Sequence, residues 1–421
     1  MRAALLAIGI VLSSATQMRV AGIPLGPGEF IILLWIVICV FDLLVEPAAR
    51  DLTALYRLAT FWLVFVLALS VGACIGFVVE DRVSMDLLLH DTFAYVLMCA
   101  LSCIAVSLPD APGQFRRSAW YLLLFGNIGF AVQIAAGWGL ISLPSVDPWY
   151  WDRFRGWADN PNQLAIMSCV LALLAVHLSL TSSGFVRFAG LLAAAGPLVA
   201  GRLSKSDTFI SVMVFSGAIL LVLRLRDWLL TAASRGQLRY GLAVLTIGLA
   251  LPAAISVWPL AKMGASDAEA FALSLAKDKG GAASERTFDL RLYLWDQAML
   301  VGLRSGSLGL GPGPHLEPPY LLTDRDYNQH FEAHNTPLDV FLQGGILALA
   351  AFAGLLASTG LQLYRLRVDA LLTLLVALAI FSNAHFLLRH PIVWFALGFC
   401  VSAGCAGRPQ IDLFPARSAR R

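Results

Sequence analysis

Long uninterrupted apolar runs constrain this chain more than any other feature. "FIILLWIVICVFDLLV" (30–45) and "FWLVFVLALSVGACIGFVV" (61–79) are two of many. A helix needs about 20 consecutive apolar residues to cross the hydrocarbon of a bilayer. Only 14% of the 421 residues are charged and 58% are hydrophobic, whereas an average soluble domain is about 25% charged. A membrane β-barrel would show short segments of alternating polarity instead. The runs predict spans near 3–22, 29–47, 58–79, 87–108, 118–141, 162–181, 185–203, 207–225, 239–259, 336–363, 370–388 and 391–407. The expectation is an all-α polytopic integral membrane protein with about 12 transmembrane helices. Residues 1–421 form a single membrane domain, with one large outer loop (261–334) carrying short helices.

The opening "MRAALLAIGIVLSSA" has the look of a signal peptide, but the residues after it make no clean cleavage site and a second span follows at once. It is read as a retained first span. The cysteines, Cys39, Cys74, Cys99, Cys103, Cys169, Cys400 and Cys405, all lie in apolar runs. They read as small buried hydrophobes and not as a disulfide framework or metal site.

Orientation follows from Lys and Arg in the short loops. Arg2, Arg50, Arg57, Arg116, Arg117, Arg187, Arg224, Arg226, Arg235, Arg239, Arg365 and Arg367 fall on one side, as does the tail with Arg408, Arg417, Arg420 and Arg421. Twelve spans then leave both termini cytoplasmic. The exceptions sit opposite: Arg153 and Arg155, Arg202 and Lys205, the loop 261–334, and Arg389.

Four polar clusters face that outer side: "RFRGWADNPNQLA" (153–165), "GRLSKSDTF" (201–209), "ERTFDLRLYLW" (285–295) and "EAHNTPL" (332–338). Ionisable groups at a membrane edge are costly unless solvated or paired, so they mark candidate sites. Arg binds phosphate oxygens through its planar fork and Lys as a point charge. His334 titrates near neutrality and suits general acid or base work, with Asn335 to orient it or bind substrate. Asn160 and Asn162 flank Pro161 and read as a turn and helix start. His90, His177 and His385 read as packing or interhelical hydrogen-bonding residues. His315, His330, Glu332 and His334 match no familiar zinc spacing.

These motifs resemble those of the O-antigen ligase and O-antigen polymerase superfamily of bacterial membrane glycosyltransferases. "RFRGWADNPNQLA" resembles its R-x-x-G-x-x-x-N-P-N-x-L-A element. "RLYLW", with Arg291 four before Trp295, resembles its R-x-x-x-W element. "SLGLGPGPH" resembles the P-x-x-G-x-G turn, and "HNTPLDVFLQGG" the H-N-x-x-L…G motif at the end of the large periplasmic loop. The hairpin departs from the pattern: the family reads S-R-G, and here "SKSD" puts Lys205 at the arginine's place with Arg202 three earlier.

The resemblance implies a multi-pass protein of the bacterial inner membrane with its site facing the periplasm. It implies transfer of a glycan from undecaprenyl pyrophosphate to an acceptor hydroxyl, on a saccharide or on lipid A-core, with no cofactor and no metal. His334 would activate the hydroxyl with Asn335 beside it. Arg291 and Lys205 would hold the pyrophosphate. Arg202, Arg155 and Arg389 are further substrate-binding candidates. Partners would be the lipid-linked donor, the acceptor, membrane lipids and proteins of envelope-polysaccharide assembly, with no nucleic acid. Ligase, polymerase and protein O-glycosyltransferase share these motifs. A transporter or flippase of a lipid-linked glycan is the alternative. It calls for ionisable groups near the midplane and paired broken helices. An envelope scaffold would leave His334 and Arg291 dispensable.

Overall fold

The computed structural model describes residues 1–19, 25–45, 51–79, 84–234, 282–317 and 331–406. The apolar runs become helices because hydrocarbon offers no partner to a backbone N–H or C=O, and a helix satisfies both internally. In order they are α1 (Arg2–Ser13), α2 (Pro27–Val45), α3 (Thr53–Val79), α4 (Met85–Ser107), α5 (Ala111–Gly137), α6 (Pro161–Leu180), α7 (Gly184–Leu192), α8 (Ala195–Leu203) and α9 (Asp207–Ser234). After these come α10 (Ala282–Arg304), α11 (Thr336–Arg365), α12 (Asp369–Phe381) and α13 (Pro391–Cys405). One two-residue hairpin, β1 (Trp149–Tyr150) and β2 (Arg153–Phe154), is the sheet content of the described residues.

Eight of the described helical stretches are long and apolar enough to cross a membrane, with α7 and α8 together making one of them. The shorter apolar helices are α1, α12 and α13. The pattern of burial fits a lipid solvent. In α6 83% of the apolar window is buried and in α11 50%, but in α2, α3 and α4 only 28%, 33% and 33%. So α6 lies in the interior, together with α13, which is buried along nearly its whole length, and the outer helices turn residues such as Leu63, Leu67, Val71 and Phe77 outward. In water such a surface would aggregate.

Among the described residues the spans differ from expectation in three places. The first is a short helix ending at Ser13, with Leu6, Ala7, Ile10 and Val11 buried. The span at 185–203 is broken in two, as α7 and α8. The span expected to run to residue 388 stops at Phe381, because the segment after it docks on another helix. The span at 239–259 lies outside the described residues. The cysteines also divide. Cys39, Cys169, Cys400 and Cys405 are buried, Cys99 and Cys103 are half-buried, and Cys74 is exposed on α3.

The most consequential feature is a break in α11. Gly345 has φ 63° and ψ −163°, which interrupts the helical hydrogen bonds. The freed carbonyls are capped by the glycine-rich segment after α10. Leu310 N–H donates to Leu342 O at 2.7 Å and Gly311 N–H to Gln343 O at 2.8 Å, while Ile346 N–H donates to Ser307 O at 2.9 Å. The segment fits because α3 presents Gly72 and Gly76 there; a Cβ on either would strike a carbonyl oxygen, of Gln343 and Leu310 respectively. "GLGPGP" is thus a backbone plug for a broken helix. Elsewhere α3 and α13 are joined by aromatic packing: Trp62 and Trp394 lie 4.4 Å apart, centroid to centroid. A pair of this kind contributes about 0.5–1.5 kcal/mol beyond its buried area.

Candidate active site at one end of the bundle

The start of α6 organises the first part. Asn160 caps the helix, its side chain accepting from Asn162 N–H at 2.8 Å, and Pro161 fills the first helical position where no N–H is needed. Asn162 then does a second job: its Oδ1 accepts from Arg153 at 3.1 Å. Arg153 also donates through Nε to the carbonyl of Ser204 at 3.2 Å. That carbonyl belongs to the α8–α9 turn, so the β-hairpin and the "SKSD" turn are held together.

Lys205 sits at the tip of this turn with φ 48°. Helices often end in a left-handed residue, usually glycine, because a Cβ costs about 1 kcal/mol there. Its Nζ meets Asp152 of the β-hairpin at 2.7 Å, and both side chains are exposed. The Lys205 ammonium holds the Asp152 carboxyl below its usual range. An exposed pair of this kind contributes little stability and yields readily to a competing anion. Arg202 is exposed on the last turn of α8.

Helix α10 supplies the second part, and its helical course matches the apolar spacing of "RTFDLRLYLWDQAMLVGL". Arg291 and Trp295 stand one turn apart on the same face. Trp295 Nε1 donates to Ala333 O at 3.1 Å, which ties α10 to the residue before His334. Leu294 and Ala298 pack with Leu316, Ala333 and Leu342 in a small separate core beneath.

His334 stands exposed between two buried neighbours, Ala333 and Asn335, with φ 52°. Asn335 is the N-cap of α11. Its Oδ1 accepts from Leu338 N–H at 3.2 Å and its Nδ2 donates to Asn383 O at 3.1 Å. Thr336 adds three more bonds to the 382–387 segment: N–H to Ser382 O at 2.7 Å, Oγ1 to His385 O at 2.5 Å, and Leu387 N–H to its Oγ1 at 2.9 Å. These bonds bring the α12–α13 segment beside the histidine turn.

That segment carries His385 and Arg389. His385 lies within electrostatic reach of Arg291, His334, His390 and Arg153; burial first, then these groups, drive its pKa well below the ordinary value. Its Nε2 is closed off from solvent, with no hydrogen-bond partner among the described residues. Arg389 meets Asp91 of α4 at 2.6 Å and also pairs with Glu332. His90 Nδ1 approaches the same Asp91 oxygen at 3.0 Å.

One edge of His334 reaches solvent, but the surrounding protein crowds the ring and lowers its pKa; Glu332 opposes the shift, and Arg291 and Arg389 reinforce it. The shift favours the neutral imidazole, the form able to accept a proton. The carboxylate of Glu332 is already matched by Arg389. Arg153 and Arg291 contribute positive charge around the imidazoles of His334 and His385, an environment suited to an anionic ligand next to a base.

The sequence-predicted residues thus separate. Arg291 and His334 come together, and Lys205 joins them through the hairpin that carries Arg153. Arg155 is turned away: it binds Asp147 through its carboxylate at 2.9 Å and its carbonyl at 3.0 Å, and Asp159 O at 3.2 Å. Asn335 is occupied as a cap and cross-link, and Arg389 as an ion-pair partner. Arg153 and His385 belong to the cluster, although neither is among the site residues that the sequence offers. "RFR" offers two arginines with nothing to rank them, and His385 reads as part of an apolar span. Its position six residues before Pro391, in a turn with Arg389, is the signal that marks it. No protein-family model matches this chain, and no curated protein is significantly similar to it.

Proposed function

We propose that this protein is a membrane glycosyltransferase that takes a glycan from a polyprenyl-pyrophosphate donor at the periplasmic face and passes it to an acceptor hydroxyl. The observation that carries this is the meeting of Arg153, Arg291 and His334, from segments far apart in sequence, with Lys205 bonded to the same hairpin. In the reaction, His334 takes the proton of the acceptor hydroxyl as its oxygen attacks the anomeric carbon. The bond from that carbon to the pyrophosphate oxygen breaks, and its electron pair leaves with the lipid pyrophosphate. Arg291, Arg153 and Lys205 stabilise the charge that grows on the leaving group.

A transporter or flippase is the second reading, and the break at Gly345 favours it. Against it, the carbonyls that a broken transport helix would offer to cargo are filled here by Leu310 and Gly311 N–H. Deletion of the gene with analysis of surface and lipid-linked glycans tests the proposal. Long glycan stranded on the prenyl lipid means a ligase, acting on lipid A-core or protein. A single unpolymerised repeat means a polymerase. Unchanged glycans overturn the enzyme reading, and so does full complementation by His334→Ala.

A further inference from the structure

Asp339 lies one turn into α11 and is 2% exposed. Its side chain faces back out of the helix. Oδ1 accepts from Ala333 N–H at 2.7 Å and Oδ2 from Asn335 N–H at 3.1 Å. These are the N–H groups of the two residues that flank His334. Between them His334 has φ 52°, a left-handed conformation that is uncommon outside glycine and costs an L-residue free energy. An ordinary capping side chain reaches back to one N–H, at the N-cap itself. Asp339 holds two, and the residue it does not touch is the one pushed outward.

From this geometry we infer that Asp339 is a positioning residue: its carboxyl clamps the left-handed turn that presents the His334 imidazole to the reacting hydroxyl. The inference rests on the glycosyltransferase reading for its catalytic consequence, but the clamp itself does not. Both oxygens must accept. An asparagine at 339 has one acceptor, and its NH2 would meet the other N–H donor to donor. Released from the clamp, the turn can relax toward φ below zero, which swings the imidazole away. A misplacement near 1 Å costs on the order of 100-fold in rate.

Two measurements on the full-length protein test this. In proteoliposomes supplied with a synthetic polyprenyl-pyrophosphate disaccharide, release of polyprenyl pyrophosphate reports turnover. Asp339→Asn is expected to lower kcat by about 10- to 100-fold with the donor KM changed less than twofold. An unchanged kcat overturns the inference, and so does a rise in KM that accounts for the loss. The second measurement needs no activity. Glycine tolerates positive φ, so His334→Gly removes the need for the clamp. The fall in apparent Tm caused by Asp339→Asn should therefore shrink by at least half in the His334→Gly background. Equal falls in both backgrounds mean that Asp339 is only a helix-end fastener. If the thermal coupling is present while His334→Ala retains full turnover, the clamp stands and the proposed chemistry fails.

Discussion

Replacing Arg389 with glutamine tests whether the polar network beneath the histidine turn stabilises the fold. The substitution leaves Asp91, 1% exposed, without its cation, and releases Glu332 two residues before His334. Removing one partner of a buried ion pair costs about 3–5 kcal/mol, because the remaining charge stays desolvated. Two features place the expected loss at the low end. His90 still reaches Asp91, and the Glu332 side chain is 17% exposed and can recover water. The expected loss is about 3 kcal/mol, which corresponds to a fall in apparent Tm on the order of 5 °C. Thermal unfolding in detergent, followed with a thiol-reactive dye, reports it through the buried Cys169, Cys400 and Cys405. Scan rate must be held constant, since unfolding of a protein of this type is governed by kinetics. Adding Asp91→Asn to Arg389→Gln removes the stranded charge and should recover a large part of the loss. A single variant that melts with the wild type refutes the reasoning, as does a double variant that melts lower than the single.

Lys205→Ala should raise the donor KM several-fold, whereas Lys205→Arg keeps the charge and is tolerated; equal KM values for all three proteins would separate this lysine from the donor. Because His334 must be neutral to accept a proton and its pKa lies below the ordinary histidine value, the acid-side midpoint of the kcat profile should lie below pH 6.5. A limb centred above pH 7 in a pH–rate profile would contradict the assignment. Gly345→Ala should destabilise by about 2–5 kcal/mol, combining positive-φ strain with a clash against Ser307 O and Leu308, and a dye-monitored melt that matches the wild type would contradict the described break.

Much of the architecture was readable from local pattern. Apolar runs located the helices, and "NPN" announced a helix start through an Asn cap and an early proline, as Asn160 bears out. The apolar residues around Arg291 and Trp295 recur at helical spacing, and α10 runs through them. What escaped depends on partners distant in sequence. Nothing near Arg389 says that its guanidinium is matched by Asp91, 298 residues away. Nothing in "RFR" distinguishes Arg153, held by Asn162 and Ser204, from Arg155, held by Asp147. The break at Gly345 is invisible to hydropathy, since a glycine in an apolar run only weakly lowers helix propensity. It takes Leu310 and Gly311 to cap the freed carbonyls. Asn335 and His334 are adjacent and looked like a catalytic pair, but Asn335 faces inward as a cap and His334 outward.

The central claim is that His334 and Arg291 act on one lipid-pyrophosphate donor. The most direct measurement is release of polyprenyl pyrophosphate from a synthetic donor by purified wild-type, His334→Ala and Arg291→Ala proteins in proteoliposomes, with each shown to be folded by its melting curve. The proposed mechanism predicts turnover by the wild type, loss of kcat by at least about 100-fold in His334→Ala, and a raised KM with lowered kcat in Arg291→Ala. Wild-type turnover that persists undiminished in His334→Ala, or a folded wild type that leaves the donor intact while moving it across the bilayer, would contradict it.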